Sequence, residues 1–431
     1  MKARKLRKPV LVAVKVVVAG GLLALVIAQV HWNDYAVALD GIKVRARVYD
    51  GVPQVQKPQG QYVALSQEQF RPISMRTGEG KQAMIIAARP DWNSPQSYQV
   101  HLEGRTKWLD AGELVPDSAE YVNRGFRTTV LSARPGLMAL SFVCFLLPVL
   151  ILSVRWWYLL RIQEIHVSVW EAVRLTFLGT FFSYVVPGTV SGDLIKAYYV
   201  AKHTPRKAAT LVTVFVDRAV GLLEFALLPA IVIAVMFATN APGRERLTLP
   251  GLMVAAVLAG VVVALALLLS PRLRGALRLQ KLARRLPMQR HLEVVREAAQ
   301  LYRRRWQALA KALVMTFGGQ AIFISGIFLA GTSLSMHVPW FQYFLYVPLI
   351  YIIAAVPISP GGLGLTEAFF VTFFTPAGPS PSEVLALALV ARLFPMIVSL
   401  PGIVVALTGA KLPKAAQMQA ELEEQPPGNR P

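Results

Sequence analysis

Six long apolar runs, at 9–30, 135–154, 209–238, 250–270, 308–331 and 384–409, constrain this chain more than any other feature. A helix rising about 1.5 Å per residue needs roughly 20 such residues to cross a hydrocarbon core of about 30 Å. Within a bilayer the backbone N–H and C=O groups must be satisfied inside the protein, so runs of this length are expected as helices. A mean hydropathy of +0.48, with 55% hydrophobic residues, places the chain among polytopic membrane proteins. The expected fold class is an all-α polytopic membrane protein.

The 431 residues include 45 Lys and Arg against 24 Asp and Glu, a formal net charge of +21. Such an excess suits nucleic acid, an anionic bilayer surface or the basic flanks that orient spans, and position decides among them. The densest basic stretch, 271–305, lies between two apolar runs, and no nucleic-acid-binding module accompanies it. The charge is therefore assigned to anionic membrane lipids, with no nucleic-acid partner. Ala276, Leu279, Ala283 and Leu286 share one helical face there, with basic residues opposite. That pattern reads either as a positive-inside anchor or as a helix lying on the inner leaflet. Cys144, the single cysteine, sits in an apolar run, so neither an internal disulfide nor a cysteine-based zinc site can form.

The basic stretch before the first run puts the N-terminus in the cytoplasm. The run is longer than a signal-peptide core and has no clear small-x-small cleavage site, so residues 1–30 are expected to stay as an uncleaved span, with Lys15 snorkelling. Residues 31–130 are mixed in charge, with short β-like runs such as 43–49 and 98–102 between Gly and Pro turns. They are expected as an extracytoplasmic β-rich domain, read either as a spacer or as the docking module for an envelope partner. Residues 135–410 form the membrane core, and 411–431 a short, polar, disordered cytoplasmic tail. The run at 135–154 ends in Arg155-Trp156-Trp157-Tyr158, read as a cytoplasmic interface belt. The expected location is the inner cell membrane, with both termini cytoplasmic.

Two further apolar stretches are too broken to span. One, at 169–207, is interrupted at Pro187-Gly188 and at Gly192, with Arg174 before the break and Lys202, Arg206 and Lys207 after it. The other, at 343–383, breaks between Pro357 and Gly364 and has no basic flank. Each is expected as a re-entrant hairpin, the first dipping in from the cytoplasm and the second from outside. Both carry Val-Pro, a Gly-containing turn and then an aromatic helix with one acid, Asp193 or Glu367; the next span holds Arg218 in one case and Arg392 in the other. Matching broken segments entering from opposite faces are the pattern of an inverted-topology repeat, whose breaks line a site near the midplane. With the six runs this gives six full spans plus two oppositely oriented hairpins.

An arginine at the centre of a membrane helix costs about 2.5 to 3.5 kcal/mol on the insertion scale, so Arg218 and Arg392 are expected to face a polar interior. Gly188, Gly192, Gly361, Gly362 and Gly364 lie in the turns; the helix N-termini after Gly192 and Gly364, together with the two arginines, suit a phosphate. The other reading makes the arginines structural partners of Asp193, Asp217, Glu224 or Glu367. The Gly-Gly-Leu-Gly at 361–364 lacks the βαβ context of a nucleotide fingerprint. The scattered histidines form no metal motif, and no catalytic constellation can be proposed. Neither a metal nor a cofactor is expected.

At these motifs the chain resembles the lysylphosphatidylglycerol synthase transmembrane region, a flippase-like membrane family. The resemblance rests on Arg155-Trp156, Val186-Pro187-Gly188 to Gly192-Asp193, Asp217-Arg218, Pro357 to Gly364 with Glu367, and Arg392, with Lys196 where the family often has arginine. It covers about residues 135–410. It implies the handling or translocation of phospholipid or lipid-phosphate headgroups. The alternatives are a membrane transferase acting on lipid-linked substrates, for which only Asp193, Asp217 and Glu367 could serve as acids, and a non-transporting envelope scaffold. The aminoacyl-transferase domain of full-length synthases is expected to be absent, and residues 31–130 are outside the common core. Sequence leaves lipid identity, direction, energy source and oligomeric state open.

Overall fold

The structure is a computed structural model that describes residues 30–185, 191–202, 207–239, 251–260, 306–355 and 362–408, less a few positions chiefly in turns between strands, and isolated positions from 21 to 28. The expected first span, the basic stretch 271–305 and the tail 411–431 lie wholly or mostly outside these residues, as do Gly188 and Gly361.

Residues 35–123 form ten strands in two antiparallel five-stranded sheets. The first has the order β10(Val122–Asn123), β1(Tyr35–Val37), β2(Lys43–Tyr49), β3(Val52–Gln56), β4(Tyr62–Ala64). The second runs β8(Arg105–Asp110), β7(Ser97–Leu102), β6(Gln82–Arg89), β5(Ser74–Thr77), β9(Leu114–Glu120). Alternation supplies each sheet with one apolar face: Ala36, Ala46, Val55 and Phe70 bury together under the first, and Met75, Tyr98, Val100, Leu109 and Leu114 under the second.

Because β1 pairs with β10, the chain enters and leaves this module side by side. Phe126 N–H donates to the His31 carbonyl at 2.8 Å, and Ser382 Oγ both accepts from His31 N–H (3.1 Å) and donates to its carbonyl (3.2 Å). The His31 imidazole is held below its ordinary value, first by burial and then by the Lys43 ammonium, against a weaker opposing hydrogen bond with the Val30 backbone. The neutral ring is thus the form this junction favours. Its contribution is present above the ordinary histidine pKa of about 6.5 and lost as pH falls below it. Limited proteolysis at the 124–134 connection should accelerate on acidification, and His31→Gln should flatten that response.

The helices are α1(Phe126–Leu131), α2(Pro135–Ile162), α3(Val169–Val185), α4(Ser191–Lys202), α5(Lys207–Ala238), α6(Gly251–Gly260), α7(Trp306–Ser333), α8(Trp340–Ala355), α9(Leu365–Phe374), α10(Pro381–Ser399) and α11(Pro401–Thr408). Among the described residues four stretches are long and apolar enough to cross a membrane: Pro135–Ile162, Val216–Ala238, Gln307–Ser333 and Pro381–Leu407. Local chemistry sets their ends. Pro135 opens α2, where its missing N–H is no loss. Ser380 accepts from Glu383 N–H while the Glu383 carboxylate takes Ser380 N–H at 2.8 Å, a capping box for α10.

One expectation is corrected. The helix begun at Pro135 continues to Ile162 instead of ending at an interface belt, and Arg155 and Trp156 are 5% and 0% exposed inside the bundle. An arginine followed by aromatics looks interfacial by composition, but a carboxylate on a neighbouring helix satisfies this one. The expected last span is present as the stretch Pro381–Leu407, with Leu400 between α10 and α11.

Each broken stretch is a pair of short helices packed on each other, α3 with α4 and α8 with α9. None of the four exceeds 17 residues. Gly179 and Gly192 bring the α3 and α4 backbones into direct contact, where a methyl on either would overlap the other's carbonyl.

The helices also repeat. Both α2 and α7 have 28 residues and begin 171 apart, at 135 and 306. The same offset separates the starts of α3 and α8, at 169 and 340, and the two residues at positive φ, Glu164 (59°) and Ser335 (62°). The hydrogen bond from Ile165 N–H to the Leu160 carbonyl recurs from Met336 N–H to that of Gly331. Past the breaks the offset becomes 174, for α4 and α9 (191 and 365) and for α5 and α10 (207 and 381).

Contacts between the two units come in exchange-related pairs: α5 on α8 with α10 on α3, and α5 on α7 with α10 on α2. At the centre α2 packs along its counterpart α7. Ser333 Oγ–H donates to the Arg134 carbonyl (2.9 Å), Ser141 Oγ–H to the Gly326 carbonyl (2.8 Å), and Arg155 Nη1 to Thr316 Oγ1 (2.7 Å). Residue numbers rise along one helix as they fall along the other, so these equivalent helices are antiparallel.

Candidate functional site

A cavity of about 390 Å3 lies where α2, α3, α4, α5, α7 and α8 meet. Its charged wall is built from Arg155 on α2, Asp193 and Lys196 on α4, and Asp217, Arg218 and Glu224 on α5. Thr316 and Gln320 come from α7, while Tyr184 on α3 and Tyr351 on α8 add phenols. On α5, Asp217, Gly221 and Glu224 follow each other at helical spacing, so one face of an apolar helix carries the polar groups.

Arg155 donates through Nε to Asp217 Oδ1 at 3.0 Å, its Nη2 lies 2.8 Å from the same oxygen, and both side chains are under one-tenth exposed. Asp193 stands between two cations, Lys196 Nζ at 2.8 Å and the Arg218 guanidinium, which contacts its Oδ2. Lys196 also lies over the Trp156 ring, 5.1 Å from its centroid. Among the described residues, two carboxylates thus serve three cations, and two of these cations share Asp193. The Arg218 side chain is 46% exposed against 4% for Lys196 and 6% for Arg155, so Arg218 is the cation an entering group meets.

The sixth charged group behaves differently. Glu224 is 1% exposed, and its Oε1 has no hydrogen-bond partner among the described residues; the Gln320 Nε2 in the same wall has none either. Between Asp217 and Glu224, Gly221 leaves open space: a Cβ there would meet no atom within 4 Å.

The second acid–arginine pair does not line this cavity but lies within electrostatic reach of its two phenols, Tyr184 and Tyr351. Arg392 donates through Nε to Glu367 Oε1, and through Nη2 to Glu367 Oε2 and the Gly362 carbonyl, both at 3.1 Å. The Glu367 carboxylate also accepts from Gly364 N–H at 2.8 Å, capping its own helix. Gly362 and Gly364 both have positive φ, 69° and 77°, which suits glycine there. Of the residues singled out in sequence, Arg218, Asp193, Lys196 and Asp217 therefore line the cavity, Gly192 packs on Gly179 beside it, and Arg392, Glu367, Gly362 and Gly364 gather in this second cluster. Here a protein carboxylate already occupies the α9 N-terminus that sequence offered to a phosphate. Both arginines bridge acids within the protein.

The pairs are spaced alike, Asp193 to Arg218 and Glu367 to Arg392 each 25 residues apart. The repeat offsets match Arg155 and Asp217 with Gly326 and Ala391, Lys196 with Phe370, and Glu224 with Val398. The second unit keeps one ion pair and is otherwise apolar at these places, so the polar cavity is an elaboration of the first. Sequence reading passed over Thr316 and Gln320 as isolated polar residues in an apolar run; their i, i+4 spacing was the available signal. It also passed over Tyr184 and Tyr351, for which composition gives none.

A bundle of long apolar helices around a charged interior defines an α-helical integral membrane protein. The family model described as the lysylphosphatidylglycerol synthase TM region matches residues 123–402, well over half of the chain, and the chain belongs to that family. No curated protein matches it.

Proposed function

We propose that this protein translocates phospholipids, or lipids with a phosphate headgroup, by admitting the headgroup to the cavity while the acyl chains stay in lipid. The observation that carries this reading is the shared carboxylate. Asp193 is bound to Lys196 and Arg218 together, and Arg218 is the cavity's most accessible cation. A phosphate entering beside Arg218 and Lys196 meets two cations in a low-dielectric setting, where charge-assisted bonds are strong. Arg218 then has two roles, bridging Asp193 and meeting the ligand.

Removing Arg218 still leaves Asp193 paired with Lys196, so Arg218→Leu should insert and fold but lose most translocation of a labelled phosphatidylglycerol. Arg218→Lys, which keeps the charge without the planar fork, should lose part of it. Full activity in a correctly inserted Arg218→Leu protein would reject the reading. Turnover of a lipid-linked substrate in place of translocation would favour a transferase.

The second part of the proposal is orientation: the α3–α4 and α8–α9 pairs are re-entrant hairpins from opposite faces of the inner membrane, with both termini cytoplasmic. The antiparallel packing of α2 on α7 supports it, because units whose equivalent spanning helices run in opposite directions have inverted topology. His166 and His337 test it well. They are exposed, lie in the corresponding α2–α3 and α7–α8 loops, and are 171 residues apart. In a Cys144→Ser background, His166→Cys should label with an impermeant thiol reagent only from the cytoplasm and His337→Cys only from outside; labelling from one common side contradicts the inverted arrangement.

A further inference from the structure

We propose that Glu224 is a proton-carrying site of the cavity, taking up a proton from water when an anionic headgroup occupies the Lys196–Arg218 end. The inference rests on the cavity being the headgroup site and adds what travels with the headgroup. A buried carboxylate with an unpaired oxygen has two ways to lower its cost: find a cation or accept a proton. The three cations of the wall are committed to Asp193 and Asp217. Protonation removes the charge and turns Glu224 into a donor as well as an acceptor, in a wall that also holds the Gln320 Nε2 without a partner among the described residues.

The repeat shows that the acid is not an architectural need. Its counterpart is Val398, 3% exposed and packed in the apolar core, so the same place in the same fold is filled by an alkyl side chain. The first unit carries at Glu224 a group that costs stability there.

The charged and titratable groups that share the cavity wall with Glu224 come from the helices around it, with Arg155 the charge acting on it most directly. Arg155 from α2 and Lys196 from α4 are positive, and Asp193 from α4 is negative. Tyr351 from α8 is a phenol, and α7 contributes the uncharged Thr316 and Gln320. Asp217 and Arg218 share α5 with it, and Tyr184 on α3 completes the wall. With the headgroup absent, the two cations at the Asp193 end favour an ionised Glu224. A phosphate arriving there offsets their charge and adds its field to the remaining carboxylate, which favours the neutral acid. By linkage, protonation must favour phosphate binding to the same extent.

The test is calorimetric titration of the purified full chain with dihexanoyl phosphatidylglycerol in two buffers of different ionisation enthalpy, across a pH series. The expected result is net proton uptake on binding and an affinity rising as pH falls, by up to about tenfold per pH unit where uptake approaches one proton. An infrared band of a protonated carboxyl should grow on binding in the unmodified protein. In Glu224→Gln both the proton uptake and the pH slope should vanish. Binding without proton uptake, or uptake that persists in Glu224→Gln, overturns this inference and leaves the headgroup site standing. No binding of the probe at any pH removes both.

Discussion

Asp217→Ala should destabilise the protein by about 3–5 kcal/mol, because it strands the Arg155 guanidinium inside the bundle. Arg155 is 6% exposed and, among the described residues, keeps hydrogen bonds only to Thr316 Oγ1 and the Asp217 backbone carbonyl once the carboxylate is gone. Asp217→Asn should do nearly as much harm, since an amide keeps the shape but not the charge. The informative variant is the double replacement Arg155→Met with Asp217→Ala. Breaking a buried pair is costly, whereas replacing both partners by apolar groups is often neutral. The second unit supplies the precedent, with Gly326 and Ala391 at the equivalent places. Thermal unfolding in detergent should show the single variant far below the unmodified protein and the double variant recovering most of the loss. A double variant as unstable as the single one would mean that Arg155 is held by something other than charge pairing.

What could be read in sequence followed the strength of the physical signal. Long apolar runs gave α5 and α7 close to their observed bounds, and the start of α2, because membrane helices have few alternatives. Pro and Gly clusters gave the division of the two broken stretches into α3 with α4 and α8 with α9, because both residues interrupt a helix locally. The acids and arginines at Asp193, Arg218, Glu367 and Arg392 were legible because a charge in an apolar run is rare. Their partners were not. Whether an arginine meets a carboxylate or a ligand depends on which helices pack, and sequence spacing alone does not fix packing. Arg155 was misplaced for the same reason, as its partner is 62 residues away on α5. The repeat was visible only at the two breaks, whereas the helix starts and loop geometry extend it over both units. The two cations sharing Asp193 and the unpaired Glu224 are products of packing, and composition shows neither.

The largest functional effect is expected at Gly221. It lines the cavity between Asp217 and Glu224, and a Cβ built there meets nothing within 4 Å. Gly221→Ala should be accepted and should stabilise α5 by up to about 1 kcal/mol, the usual gain from removing glycine inside a helix. Gly221→Trp places an indole in the space a headgroup needs without removing any charge. It should bring translocation down to the protein-free level while leaving the ion pairs in place. The contrast between the two variants separates a blocked cavity from a damaged helix.

The most direct measurement is the rate at which fluorescent phosphatidylglycerol in the inner leaflet of sealed vesicles becomes accessible to an impermeant quencher outside. Vesicles holding the unmodified protein should expose it well above protein-free vesicles, those with Gly221→Ala should follow the unmodified protein, and those with Gly221→Trp should match the protein-free rate. Equal rates in vesicles with and without the unmodified protein, or unchanged translocation through Gly221→Trp, would contradict the assignment of this cavity to headgroup passage.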